Sequence, residues 1–445
     1  MSKLIVVDSM PGQGKTSYAL QFINNDINSG FGDIEPEFRM TYKYIFVTPY
    51  LSEVSRIKKG TSNVLLDTND EKVTKYDKFL KLLEEEKSVV ITHKLFEMFD
   101  ERAIKLIESK LYILIIDESP KIIDELKISK NDIKILMDSN TITIGEKGLV
   151  TWVNNKYSNN SINRFNDIHS LIKYNTVYAN NNYSKLYQLF NVDIFSKFEK
   201  VYILTYLFDG QNMKYLLDFQ NIEYIKKSVA KINQKYELIN YDINSEPRKE
   251  IKEKLIIYED ITNNTGRPNT LNNNFNKRRI NENSLLNKTW FDDATDEELT
   301  AIRNNLNNYF KKKVKTKNDH LYWTTLKDKA NILAGEKCKY IVDDKKKNYE
   351  INKIKRGNFV SLGIRATNDY AHCTSMAYIY NRFMNPYESN FFKQHSINVN
   401  EDVYATSELI QFIFRGCIRN NEPMNCYIPS LRMRTLLYDW MEFKL

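Results

Sequence analysis

Four cysteines in 445 residues are too few to staple a fold of this size. Cys338, Cys373, Cys417 and Cys426 form no Cys-x-x-Cys pair, and no histidine stands at the spacing of a zinc site. They read as reduced thiols in a cytosolic setting. No stretch of about 18 apolar residues occurs, so no helix long enough to span a membrane is expected. The apolar run near the start covers only residues 4–7, shorter than the core of a signal peptide. No repeat of about 20–50 residues is visible. Charge of one sign is also scarce: Lys+Arg total 65 against Asp+Glu 57, a formal net charge of +8. That excess permits an anionic partner and does not show one. What is present is core-forming material, 42% hydrophobic and 13% aromatic, which excludes wholesale disorder. The length implies two or more domains, because one core rarely grows past about 250–300 residues.

Along the chain, residues 3–8 form a short apolar strand, 9–14 a loop, and an amphipathic helix runs from Lys15 to about Asn24. Further strands are expected at 44–47, 88–92, 111–116 and 201–205, with helix over 93–110. Strands alternating with helices indicate an α/β fold with parallel sheets covered on both faces. Residues 153–185, rich in Asn, Ser and Tyr, resist assignment. Residues 262–289 are richer still in Asn and read as a long loop or insertion. A second series follows, with strands at 254–258, 320–325, 359–362, 376–380 and 425–428 and a helix over 407–418. The expected organisation is a first domain over 1–210, a linker or domain start over 211–250, and a second domain over 251–445.

The segment from Ser9 to Thr16, Ser-Met-Pro-Gly-Gln-Gly-Lys-Thr, is close to the phosphate-loop pattern G-x-x-x-x-G-K-[ST]. Phosphate oxygens must approach bare backbone N–H groups, and Gly12 and Gly14 leave that room. Pro11, Gly12, Gln13, Gly14, Lys15, Thr16 and Ser17 are the expected nucleotide-binding residues. Lys15 would reach the β- and γ-phosphates, and the Thr16 hydroxyl would ligate Mg2+. Ser9 departs from the pattern by replacing the first glycine. Residues 113–118, Ile-Leu-Ile-Ile-Asp-Glu, deliver an acidic pair at a strand end, where ligands bind in open α/β sheets. Asp117 is the second expected magnesium partner, and Glu118 is expected to polarise the attacking water.

Asp117-Glu118-Ser119-Pro120 resembles the acidic box of superfamily 2 helicases, and other elements fall in the same order. Thr48-Pro49-Tyr50-Leu51 and Thr92-His93-Lys94-Leu95-Phe96 resemble two elements that grip a nucleic-acid backbone. Leu204-Thr205-Tyr206 lies where a Ser-Ala-Thr element is usual, and departs from it. Trp323-Thr324-Thr325 resembles the start of a second motor domain. Residues 363–370, with Arg365, Thr367 and Asn368, resemble the fifth element, and Gln411, Arg415 and Arg419 the arginine-bearing sixth. With the patterns at 381–386 and 428–434, the chain resembles bacteriophage-encoded DEAD/DEAH-box-type helicases over about residues 3–440.

The resemblance implies two RecA-like (P-loop NTPase) domains with ATP in the cleft between them. It implies catalytic roles for Lys15, Glu118, Arg415 and Arg419, and nucleotide contacts from Asp117, Arg365 and Gln411. Nucleic-acid contacts fall on Thr48, Pro49, Thr92, His93, Thr325, Thr367 and Asn368. The arginines are four residues apart where three is usual; a continuous helix over 407–419 would hold both on one face with Gln411. The implied activity is an ATP-dependent helicase or translocase, a hydrolase acting on DNA ahead of RNA in phage replication or recombination. Replication proteins are possible partners, in the cytoplasm of an infected bacterial host, with no membrane. Two alternatives stay open: a viral DNA-packaging ATPase of terminase type, and an NTP-dependent switch or loader that does not unwind.

Overall fold

The computed structural model describes residues 3–28, 42–70, 72–154, 165–262, 268–339, 358–362 and 369–445. They divide into two compact units, one of residues 1–241 with 385–399, the other of 242–384 with 400–445.

The first unit is built on strand β1 (Leu4–Asp8), followed by α1 (Lys15–Asn28), β2 (Lys43–Thr48), α2 (Leu51–Gly60), α3 (Lys75–Glu84) and β3 (Val89–Thr92). Then come α4 (His93–Phe96), α5 (Glu101–Glu108) and β4 (Tyr112–Asp117). An insertion follows: β5 (Ile123–Glu125), α6 (Lys130–Asp138), β6 (Ile142–Ile144), β7 (Val150–Trp152), α7 (Asn166–Ile172), β8 (Val177–Ala179) and β9 (Leu186–Leu189). The main sheet resumes with β10 (Lys200–Thr205), α8 (Asn212–Phe219) and the hairpin β11 (Ile225–Ile232) and β12 (Lys235–Asn240).

Strand order in the seven-stranded sheet is β12-β11-β1-β10-β4-β2-β3. Every neighbour pair is parallel except β11–β12. The apolar runs of β1, β4 and β10 are continuous because helices cover both faces. One of those covering layers closes over Ala19 and Ile23 of α1 with Tyr44, Phe46, Ile113 and Ile115 of the sheet. Register sets the edge where chemistry is expected: Asp8 pairs with Thr205, and Leu204 with Asp117. The insertion has its own small core of Ile133, Leu136, Val150, Val177 and Leu186, beneath strands β5-β9-β8 and the β6–β7 hairpin.

The second unit contains α9 (Arg248–Lys254), β13 (Leu255–Ile257), the two-residue strands β14 (Ile261–Thr262) and β15 (Pro268–Asn269), α10 (Lys288–Asp292) and α11 (Asp296–Asn308). These are followed by β16 (Leu321–Thr324), α12 (Lys327–Leu333) and β17 (Ser375–Tyr378). The chain then contributes α13 (Pro386–Gln394) to the first unit. Asn385 caps that helix by accepting from the Tyr387 amide, and proline occupies its first turn. Phe391 and Phe392 of α13 pack on Phe219 and Tyr215 of α8 and on Tyr178 and Tyr187 of the insertion. The second unit resumes with α14 (Glu401–Ile413), β18 (Met424–Tyr427) and α15 (Leu431–Met441). Its sheet, β13-β18-β17-β16, is wholly parallel.

Several expectations need correction. Residues 211–241 are not a linker, because α8, β11 and β12 complete the first sheet. The α/β series does not divide once along the sequence either, since 385–399 belongs to the first unit. The expected helix over 93–110 is two, broken at residues 97–100, where the Asp100 carboxylate caps α5 through the Arg102 and Ala103 amides. No continuous helix spans 407–419. Helix α14 ends at Ile413, and a separate 3-10 turn covers Cys417–Asn420.

Candidate functional site

Burial of β1 carries Asp8 and Ser9 into the interior, and the loop that follows is held on all sides. Ser9 donates its amide to the Thr205 carbonyl (3.1 Å), and its hydroxyl accepts the Val229 amide of β11 (2.8 Å). Serine in place of glycine thus has a physical use, because the hydroxyl occupies an amide that glycine would leave unmet. The Gln13 side chain accepts from the Met10 amide (3.1 Å), while its own amide donates to the Met10 carbonyl (3.2 Å), closing the turn that contains Pro11. Gly12 and Gly14 lie at φ +86° and +92°, where a side chain is strained, so both positions require glycine. Lys15 donates to the carbonyls of Ser9 and Met10, which places its ammonium over the loop. Ser17 is half-buried in the first turn of α1.

The acidic box meets this loop directly. Thr16 Oγ1 donates to Asp117 Oδ2 at 3.2 Å. Burial, and then the adjacent Glu118 carboxylate, push the Asp117 pKa up to about 7, against the opposing pull of Lys15. A carboxylate held that way gains when a cation arrives. Glu118 sits at φ +63° with its amide donating to the Leu204 carbonyl (3.0 Å). A non-glycine residue in that region is strained, and such strain concentrates at working sites. His93 donates through Nε2 to the Asp117 carbonyl (3.1 Å), tying the end of β3 to the box.

Sequence reasoning missed two residues here. Gln211 accepts with one oxygen from Ser119 (3.1 Å) and Thr205 (2.8 Å) and donates to the Tyr206 carbonyl (2.8 Å). The departure from Ser-Ala-Thr is accordingly bridged by a glutamine that no motif flagged. Asp8, taken only as a strand end, receives the amides of Leu207 (2.8 Å) and Phe208 (3.0 Å) on its carboxylate, with Lys226 at 3.5 Å. Leu207 is left-handed at φ +52°, and these charge-assisted bonds offset its strain. An acidic residue closing an apolar strand was the available signal.

The other expected residues lie as follows. Thr48 and Thr325 are fully buried at strand ends, and among the described residues their hydroxyls have no hydrogen-bond partner. Pro49 is half-buried, and Thr92 caps α4 by accepting from the Leu95 amide (3.4 Å). In the second unit, Gln411 donates to Ser407 (3.4 Å) on α14. Arg415 is 5% exposed, in the turn after that helix, with its guanidinium 5.4 Å from the Phe412 ring. Tyr322 positions this turn by donating to the carbonyls of Phe412 and Ile413, each at 3.0 Å. Arg419 is half-buried on the 3-10 turn, so the two arginines are not displayed along one helix face. Arg365, Thr367 and Asn368 lie outside the described residues. Arg432 and Arg434 are engaged within their own unit, with Asp402 and the Ile428 carbonyl.

The residues present fit a magnesium triphosphate: two glycines in the loop, one ammonium, one hydroxyl and one buried carboxylate. Magnesium typically takes one or two carboxylates and completes its shell with water and phosphate. Among the described residues there is no cluster of three or more acidic, His or Cys ligands. All four cysteines are buried and free of disulfides, and among the described residues no helix is long and apolar enough to cross a membrane.

Comparison with known proteins adds the lineage. Residues 249–441 match the YonV C-terminal Rossmann-like domain, and 123–188 match the YonV middle domain, which coincides with the insertion between β4 and β10. Solved structures of similar outline are an apo XPD (TM-score 0.48, 13% identity, 99% of this chain and 95% of that one) and Xpd4 of S. tokodaii (TM-score 0.46, 13% identity, 98% and 94%). A third is the DUF1998 helicase MrfA bound to DNA and AMPPNP (TM-score 0.34, 11% identity, 100% and 48%). Likeness of that degree carries no functional inference. The SPbeta prophage-derived uncharacterized protein YonV of Bacillus subtilis (strain 168) is 33% identical over 455 residues, covering 99% of each chain. The chain therefore belongs to the YonV family.

Proposed function

We propose that this protein is a nucleic-acid-dependent ATPase, a helicase or translocase acting on DNA. The carrying observation is the Thr16–Asp117 hydrogen bond, which joins the phosphate loop to the acidic strand end in one unit. A bound Mg2+ would neutralise charge on the β- and γ-phosphates. The chain's own residues supply the rest. The amides around Gly12 and Gly14 cradle phosphate oxygens, Lys15 balances their charge, and Thr16 and Asp117 hold the metal. Glu118 orients and polarises the attacking water. Arg415, with Arg419, is proposed to offset charge on the transferring phosphoryl group, a contribution worth about three to five decades in rate in related chemistry.

The nucleic-acid half of the reading rests on the sequence resemblance at Thr48–Pro49, Thr92–His93, Thr325 and 363–370, which follow one another in the helicase order. The prophage origin of the YonV relative fits a phage-encoded role in replication or recombination. A packaging ATPase should lack a second α/β motor domain, so the parallel four-stranded sheet of the second unit weighs against it. The test is ATP hydrolysis with and without single-stranded DNA, double-stranded DNA and RNA. A severalfold rise with nucleic acid is expected. Hydrolysis indifferent to all three, together with a tight protein partner in a pull-down, would favour the switch or loader.

A further inference from the structure

The phosphate loop grips only the phosphates of a nucleotide and leaves the base to another part of the fold. The fold offers a different contact. Hairpin β11–β12 closes on Asn233 and Gln234, at φ +48° and +67°, the left-handed pair of a tight two-residue turn. Its second strand is the edge of the sheet and carries Tyr236. Gln21 of α1 fixes that residue twice, accepting the Tyr236 amide (2.9 Å) and donating to its carbonyl (2.8 Å). The ring lies against the phosphate loop: a methyl group on Gly14 would stand 2.1 Å from Tyr236 Cε1. The side chain is half-buried, and the Lys231 ammonium lies 5.8 Å from the ring centroid.

Sheet order gives this placement its meaning. The metal side of the loop is marked by Thr16 and Asp117, and β4, which bears Asp117, lies beyond β10 on one side of β1. Strands β11 and β12 lie on the other side. A triphosphate whose terminal phosphate faces Asp117 and Glu118 directs its nucleoside away from them, toward the hairpin. An aromatic ring stands there on β12, its backbone doubly hydrogen-bonded to Gln21 of the helix that starts at Lys15.

We infer that Tyr236 is the platform against which the nucleobase rests. This inference depends on the nucleotide reading above and extends it to base recognition. A ring face stacks on any base, purines most strongly, and makes no hydrogen-bond distinction between adenine and guanine. The site is therefore purine-preferring and tolerant of GTP, and tight binding comes from stacking added to the phosphate grip.

The test is binding of ATP, GTP, CTP and inorganic tripolyphosphate, each with Mg2+, to full-length wild type and to Tyr236→Leu, Tyr236→Phe and Tyr236→Trp. Leucine fills the space without a π face and should weaken ATP and GTP about tenfold. Phenylalanine should stay within twofold. Tripolyphosphate, which has no base, should bind all four proteins alike. In Tyr236→Trp the added fluorescence should be quenched by ATP and GTP and unaffected by tripolyphosphate. Leucine leaving ATP affinity unchanged, leucine weakening tripolyphosphate as much as ATP, or fluorescence indifferent to ATP would each overturn the inference while the phosphate site stands. A wild type that binds neither ATP nor tripolyphosphate would overturn the nucleotide reading itself.

Discussion

The Thr16 hydroxyl donates to the Asp117 carboxylate at 3.2 Å across 101 residues of chain. The first turn of α1 and the end of β4 make that contact. If both hold one ion, Thr16→Ala and Asp117→Asn should each weaken magnesium-ATP binding by about tenfold or more. The double variant should lose much less than the product, because both side chains serve a single ion. Titration of ATP with and without Mg2+ measures this. Additive losses would separate the residues into independent roles.

Asp8 accepts the amides of Leu207 and Phe208 while 1% exposed. Asp8→Ala leaves two buried donors unmet and should cost about 3 kcal/mol of stability, measured by urea unfolding. Asp8→Asn retains one acceptor and should cost less. Burial raises the Asp8 pKa against the pull of Lys226, so its charged form is favoured less in the folded than in the unfolded chain. The wild-type protein should accordingly lose stability from this group as pH rises through the folded value, and Asp8→Asn should remove that slope.

His395, the residue that ends α13, lies tilted against the rings of Phe219 (4.9 Å) and Phe391 (4.7 Å), and burial, then Lys147, lower its pKa below 6.5. A histidine lowered on folding contributes stability that is present above its unfolded pKa and lost as pH falls through the folded one. Amide protection factors over residues 386–394, corrected for the intrinsic exchange rate at each pH, should therefore fall between pH 7 and pH 5.5, and His395→Phe should flatten the change. Equal pH dependence in both proteins would place the effect elsewhere.

Gly416 brings the turn that carries Arg415 close to its neighbours. An added methyl would stand 2.5 Å from Met424 Sδ and 2.9 Å from the Tyr322 hydroxyl. Gly416→Ala should move Arg415 and reduce turnover, with ATP binding by the first unit retained. Tyr322→Phe removes the donor to the Phe412 and Ile413 carbonyls and should cost about 1–2 kcal/mol. Turnover numbers beside nucleotide affinities distinguish these outcomes.

The phosphate loop and acidic box were legible because each is a local pattern: an apolar strand, a forced backbone, then a charged residue. Most strands of both sheets were legible for the same reason, within about two residues at their ends, but the expected strand over 359–362 is only an isolated bridge between Phe359 and Trp323. Hairpin β11–β12 was not, because its exposed, lysine-rich strands lack the apolar run that marks a buried one. The insertion between β4 and β10 escaped because its strands of three or four residues, among Asn and Ser, carry too little periodicity. The end of α14 was misjudged because Phe412, Phe414 and Ile418 continue an apolar pattern through a turn that Tyr322 of β16 and Met424 of β18 hold from other strands, packed close at Gly416. Gln211 and Tyr236 act through partners distant in sequence, and a single chain gives no sign of those.

Steady-state ATP hydrolysis by wild type and Lys15→Ala, across single-stranded DNA, double-stranded DNA and RNA, tests the central claim most directly. The expected result is a wild-type rate that rises severalfold with nucleic acid and a variant with no turnover under any condition. Turnover retained by Lys15→Ala, or a wild-type rate unmoved by every nucleic acid, would contradict the account.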